Sequence, residues 1–395
     1  MLFSELRRPP LLLVGSRIVP LAPRPKRLGP YDIIAKIAGG GMATVYLGRA
    51  RDPSGFDRLG AIKVIRHDFS RHPHYKDMFE DEAKILSLLQ HPNVSRTLEY
   101  GVTDEQQFIA MELLLGRTVL DVWEACNTRK LTLRLDLAAY ITARVADGLH
   151  YAHELRGSDG TALGVIHRDV NPSNIFLTYD GGVKLFDFGL AKAVGRRAKS
   201  SSGILKGKVP YLSPEQLQQQ ELDQRSDIYT LGASLWELTT MRRLFKRQTD
   251  VETVQAIRAG LVPDPRATVP GYPEELWRIV KRALARERND RYPTAAEMGH
   301  DLDEFVRKRS DADMPMLIAA ILDDLFHGER ERQGGWLART SNMRTARGTM
   351  SPPAPLPVQS MGATVPPPAP PRRQTPAATP PKKPSQPPPP RRRMG

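Results

Sequence analysis

The sequence predicts an α+β protein with two unequal lobes: a small β-rich lobe carrying one helix, and a larger α-helical lobe. Three observations predict it. Between about 32 and 112 the apolar segments are short, rich in β-branched residues and separated by Gly, Asp and Ser, as in strands. After 118 the apolar residues recur at helical spacing instead. Of the 35 prolines, 17 crowd the last 45 residues, so the packed region is expected to end well before them.

The elements follow in chain order. Residues 1–30, with "RRPP" and "APRPKRLGP", read as an extended leader that lacks order of its own. The strands are "YDIIAKIA", "TVYLGRA", "GAIKVIR", "RTLEYGV" and "QFIAMEL". Among them "YKDMFEDEAKILSLLQ" (75–90) predicts one helix, with Met78, Glu82, Ile85 and Leu89 at helical spacing and "HPN" closing it. In the larger lobe, Leu137, Ile141, Val145, Leu149 and Ala152 mark one helix, and Ile228, Leu231, Leu235 and Leu238 another. The insert "LRGSDGTALG" reads as a small polar hairpin. Residues 311–327 suggest a further helix, read as packing on the larger lobe, with a docking or dimer surface as the other reading. Residues 333–395 read as a disordered, polyproline-rich basic tail.

Composition narrows the class of function. The formal net charge of +14 invites a nucleic-acid reading until it is located. Residues 333–395 hold ten Lys/Arg and no Asp/Glu, which leaves the first 332 residues with only about +4. No specific nucleic-acid binding is therefore expected of the folded part; the tail could dock an acidic partner. Cys126 is the only cysteine, so neither a disulfide nor a Cys-rich metal site is expected. "LLLVG" is too short for a signal-peptide core, and "MPMLIAAIL" falls short of the roughly 20 residues of a membrane helix. These features predict a cytoplasmic protein without a membrane span.

Certain residues carry chemistry. "AKIAGGGMATVYLGR" places a glycine-rich turn between two strands, where backbone N–H groups can wrap phosphate oxygens; alone, such a hairpin is weak evidence. "GAIKV" sets Lys63 among apolar strand residues, where it must snorkel or find an anion. Glu82 on the following helix offers a carboxylate, although a solvated helix face is the plainer reading of it in isolation. "GVIHRDVNPSNIF" (164–176) packs polar groups between apolar ends, and "VKLFDFGLA" (183–191) follows.

Taken together, these motifs resemble the protein kinase superfamily, specifically the bacterial eukaryotic-like Ser/Thr protein kinases. The resemblance covers about 31–305 and has the family order: the glycine loop at 38–45, Lys63, Glu82, "HRDVNPSN" at 167–174, "DFG" at 187–189, "SPE" at 213–215, "SDIYTLG" at 226–232 and Arg291 before "YPTAAEM". It implies a bilobal kinase fold, with an N-lobe at 31–112, a C-lobe at 117–305 and a helical extension at 306–332. It also implies transfer of the ATP γ-phosphate to Ser/Thr hydroxyls of protein substrates, with Mg²⁺. By the family pattern Asp169 receives the hydroxyl proton, Lys63 held by Glu82 anchors phosphates, and Asn174 and Asp187 ligate the metal. The ATP site would comprise Ile37, Ala38, Gly39, Gly40, Gly41, Met42, Ala43, Thr44 and Val45 of the loop, with Ala61 and Lys63. Met111 would lie at the back of the pocket, and the backbone of Glu112 and Leu114 would meet the adenine.

The chain departs from the pattern in places. Ala38 and Ala43 replace two of the three family glycines in the loop, and Gly40 remains. Asn171 stands where Ser/Thr members usually carry Lys, and Lys208 stands at the usual Thr of "GKVPYLSPE". Lys208 is expected to supply the ammonium that Asn171 lacks, since an amide cannot replace a charge beside a phosphate; the alternative is a solvent-facing Lys208 that contacts substrate. Arg168 is expected to pair with a phosphate on the activation segment, with autophosphorylation within Ser200, Ser201 and Ser202. Arg291 is expected to pair with Glu215. Two other classes stay open at this level: a pseudokinase scaffold and a kinase-fold small-molecule phosphotransferase.

Overall fold

β-Branched and aromatic residues at alternate positions build the first half of the chain into antiparallel strands. The computed structural model describes residues 27–39, 43–51, 57–66, 73–104, 106–188 and 209–335. Strands β1 (Arg27–Leu28), β2 (Tyr31–Gly39), β3 (Ala43–Arg51), β4 (Asp57–Ile65), β5 (Thr97–Thr103) and β6 (Gln106–Glu112) form one sheet in the order β1-β2-β3-β4-β6-β5.

The register of β3, β4 and β6 decides which side chains reach the cleft. Val45 pairs with Lys63 and Lys63 with Ile109; two residues along, Ala61 pairs with Met111. Alternation therefore sets Val45, Ala61, Lys63 and Met111 on one face. The opposite face carries Ile62, Val64, Phe108 and Ala110 into a small core with Leu28, Tyr31 and Ile33.

Helix α1 (Pro73–Leu88) crosses beside β5 and β6. Its core contacts come from Phe79, Ala83 and Leu86, with Ile85 only partly buried. Of the expected line, Glu82 and Leu89 face inward, and Phe79, Ala83 and Leu86 widen the stripe beyond it; the side chain of Met78 lies outside the described residues.

A short crossing at 113–115 leads into the larger lobe. Here β7 (Gly116–Thr118), β8 (Ile175–Thr178) and β9 (Val183–Leu185) form a three-stranded sheet in that order. Helix α2 (Val119–Arg129) starts from a capping box in which Thr118 and Asp121 satisfy each other's backbone N–H groups. It is followed by α3 (Leu135–His153), α4 (Pro214–Leu217), α5 (Arg225–Thr240), α6 (Asp250–Ala259), α7 (Glu274–Ala283), α8 (Ala295–Arg309) and α9 (Met314–Leu325). Residues 226–240 of α5 are all buried, so this helix is the axis of the lobe. One core cluster runs from Ile65, Phe79 and Ile109 through α3 and α5 to Ile318 and Leu322 of α9.

The polar insert forms the expected hairpin: Gly157 N–H donates to Thr161 O at 2.8 Å and Leu163 N–H to Leu155 O at 2.9 Å. Among the described residues no helix is long and apolar enough to cross a membrane.

Candidate active site

Strand β4 and helix α1 each contribute one charged side chain to the cleft, and the two meet. Lys63 Nζ donates to Glu82 Oε1 at 2.9 Å and to Asp187 Oδ1 at 2.7 Å. Side-chain exposure falls from 43% at Asp187 through 15% at Lys63 to 4% at Glu82, so the ion pair runs inward from the cleft. Burial by itself would lower the Lys63 pKa, but the carboxylates of Asp187 and Glu82 outweigh it and hold the ammonium above the ordinary lysine range. Lys63 is therefore a fixed positive charge.

The second half of the site is the loop before β8. Arg168 sits at φ +65° and Asp187 at φ +62°, a left-handed conformation that costs a non-glycine residue about 1 kcal/mol or more. Asp227, at the start of α5, holds the loop in this shape. Its Oδ2 accepts from His167 N–H at 2.8 Å and its Oδ1 from Arg168 N–H at 2.8 Å. His153 Nε2 lies 2.8 Å from the same Oδ2. Burial pushes the Asp227 carboxyl up, but the His153 contact and these donors prevail and keep it below the usual carboxylate range.

His167 is fully buried, with its ring centroid 4.4 Å from that of Phe188. Burial holds its pKa below the imidazole norm against the pull of Asp227 and Asp169. Asp169 N–H reaches His167 Nδ1 at 3.3 Å, and Nε2 lies 3.2 Å from Phe186 O, so a neutral ring protonated on Nε2 satisfies both contacts. The acid loop and the segment before Asp187 are thereby joined through one imidazole.

Asn174 Nδ2 donates to Asp169 Oδ2 at 3.0 Å and to Asp169 O at 2.8 Å. Asn171 is used differently. Its Nδ2 donates to Asp169 O at 2.8 Å, and its Oδ1 accepts from Ser173 N–H at 3.0 Å and from the Ser173 hydroxyl. Asn171 is buried and caps the single turn that presents Asn174. It braces the loop from inside.

Two anchors lie at the crossing between the sheets. Glu112 Oε1 accepts from Arg96 N–H at 2.8 Å and from Lys184 Nζ at 2.9 Å. Leu115 O accepts from Tyr179 N–H at 3.0 Å. The backbone between them is held at both ends.

The structure thus brings Lys63, Glu82, Asp169, Asn174 and Asp187 into two hydrogen-bonded groups, with Val45, Ala61 and Met111 on the strand face above. Ala38 pairs with Val45, and Gly39 with Thr44, across the β2–β3 hairpin, with Ile37 and Ala43 beside them. Gly40, Gly41, Met42, Ser200, Ser201, Ser202 and Lys208 lie outside the described residues. Reading the motifs left Asp227, His167 and Lys184 without roles. The available signal was an acid at the head of a helix whose Ile228, Leu231, Leu235 and Leu238 mark it for the core, where a carboxylate is stable only if donors surround it.

Comparison with known proteins bears on most of the chain. The model of the protein kinase domain family matches residues 31–302. The tyrosine-protein kinase MasK of Myxococcus xanthus is 36% identical over 310 residues, covering 78% of this chain and 48% of that protein. The serine/threonine-protein kinase PrkC of Bacillus subtilis is 31% identical over 335 residues, 82% of this chain and 48% of that protein. The serine/threonine-protein kinase PknL of Mycobacterium tuberculosis is 32% identical over 278 residues, 70% of this chain and 66% of that protein. The chain spans about half the length of the first two. Among solved structures, the PknI kinase domain of M. tuberculosis matches with a TM-score of 0.53 at 24% identity, covering 70% of this chain and 96% of that one, a likeness of fold.

Proposed function

Because this chain belongs to the protein kinase family, we propose that it transfers the γ-phosphoryl group of ATP to serine and threonine hydroxyls of protein substrates. The observation that carries the reading is the position of Lys63 Nζ, held between Glu82 and Asp187 at 2.9 and 2.7 Å. A largely shielded lysine with two carboxylate partners is a costly arrangement for stability alone, and it suits an anion-binding cleft.

The donor set fits a hard divalent cation. Asp187 contributes a carboxylate, and the nitrogen of the Asn174 amide is committed to Asp169, so its oxygen is the atom for a metal. Magnesium, when bound, supplies charge neutralisation for phosphate oxygens. The remaining work falls to side chains. Lys63 binds phosphate oxygens, Glu82 keeps its ammonium aimed, and Asp169 receives the proton of the acceptor hydroxyl as that oxygen bonds to phosphorus and ADP leaves.

Asn171, turned into its loop, has no charge to offer a phosphate. Lys208 is the residue we assign to that task, and Lys208→Ala should then lower turnover about 10–100-fold, the worth of a charged hydrogen bond. Near wild-type kinetics would remove the assignment. Burial holds the Arg168 guanidinium below the ordinary arginine range, and its Nε makes no hydrogen bond among the described residues. This supports a phosphate on Ser200, Ser201 or Ser202 as its partner; phosphosite mapping of active protein that finds none there would refute it.

The acceptor class is tested by phosphoamino-acid analysis after incubation with labelled Mg-ATP and protein substrate. Phosphoserine and phosphothreonine are expected. Phosphotyrosine alone would move the chain to the acceptor named for the Myxococcus relative, and label only on a small alcohol would rule out a protein substrate.

A further inference from the structure

After α9 the chain turns back toward the crossing between the sheets. The turn passes through Gly328 at φ +78°, which suits glycine, and residues 329–335 form a last helical segment. This return brings Gln333 against Gly116. Gln333 Oε1 accepts from Gly116 N–H at 2.9 Å, and Gln333 Nε2 donates to Gly116 O at 3.2 Å. A primary amide here satisfies both backbone groups of one residue, as a neighbouring strand would.

The surroundings fix the two partners. Gly116 has φ +156°, and a Cβ there would lie 2.0 Å from Leu177 O, so only glycine fits. Next to it Arg117 pairs with Glu329, and its guanidinium lies 4.9 Å from the centre of the Phe326 ring. The side chains of Arg117 and Glu329 are 23% and 14% exposed, shielded enough for the pair to persist in salt. The base of the return is held by Arg129, whose guanidinium donates to Leu325 O at 3.0 Å and Asp324 O at 3.1 Å.

We propose that residues 326–335 form a clasp on the interlobe crossing, and that Gln333 is a positioning residue for nucleotide binding. The inference rests on the kinase reading, in which the backbone of Glu112 and Leu114 meets the adenine. Glu112 is anchored by Lys184 and Arg96, and Leu115 by Tyr179. Gln333 anchors Gly116 from the opposite side, two residues beyond Leu114. With both ends held, the intervening peptide groups keep one orientation before the nucleotide arrives, and binding is spared the ordering cost.

The test uses the full chain, with Mg-ATP affinity by calorimetry, steady-state kinetics and thermal melting. Gln333→Ala should raise both Kd and KM for ATP about three- to tenfold, the worth of one or two net hydrogen bonds. The kcat at saturating ATP and the KM for protein substrate should not move, and the Tm should fall by no more than a few degrees. Arg117→Glu should weaken ATP in the same way, and adding Glu329→Arg should restore it. Unchanged ATP affinity in Gln333→Ala, or an equal loss of kcat, Tm and affinity without rescue by the charge swap, would overturn the clasp. A wild-type chain that binds no Mg-ATP would overturn the kinase reading itself and the clasp with it, an outcome distinct from wild-type binding that ignores Gln333.

Discussion

The site depends on single charges kept in one protonation or pairing state. Glu82 is the inner partner of Lys63, and removing its charge leaves the ammonium to Asp187 alone. Glu82→Gln should therefore lower kcat/KM for ATP about 10–100-fold, the range for a lost charged hydrogen bond, with little change in protein-substrate KM. Asp227 acts on the loop, not on substrate. Asp227→Asn places an N–H₂ where donors already point, and should cut kcat while leaving Mg-ATP affinity near wild type. The folded pKa of Asp227 is depressed, so its contribution to stability is complete above the unfolded value of about 3.9 and is lost as pH falls through the lower folded value. Acid titration of stability should show a smaller loss in Asp227→Asn than in wild type; equal losses would argue against this role.

Among the elements, α4 is tied into the larger lobe through a buried ion pair. Arg291 donates to Glu215 Oε1 at 2.7 Å and Oε2 at 3.0 Å, and Ser226 Oγ adds a bond of 2.6 Å to the same carboxylate. The sequence reading named this partnership. Arg291→Ala strands a buried carboxylate and should cost about 3–5 kcal/mol in denaturant unfolding. Arg291→Lys should recover little, because an ammonium cannot reproduce the two parallel bonds. The strands, the α3 and α5 stripes and the polar hairpin were legible because alternation, helical spacing and turn residues are local. The facing of α1 was only partly so: Glu82 and Leu89 of the expected line are buried, but the core contacts of Phe79, Ala83 and Leu86 were not named. How far the buried face extends is decided by packing against β5 and β6 and by the Lys63–Glu82 bond, which couple distant segments.

At the scale of the molecule, five site residues from four segments converge because the sheet register and the Asp227-braced loop face one cleft. Their types were readable from motifs, since Lys, Glu, Asp and Asn in that order have few other uses. The bracing groups were not, because the contacts of His153 and His167 with Asp227 span 74 and 60 residues of chain. Gln333 was hidden for the same reason: composition places it at the start of a Pro-rich tail, yet its amide completes the backbone of Gly116, 217 residues away.

The role of Asp169 in taking a hydroxyl proton beside a Lys63-anchored phosphate is tested most directly by single-turnover transfer from Mg-ATP with wild type and Asp169→Asn. The expected result is labelled protein with wild type and a loss of about 10²–10⁴-fold in rate with the variant, the usual worth of a positioned general base, while both bind nucleotide equally. Transfer at the wild-type rate by Asp169→Asn would contradict it.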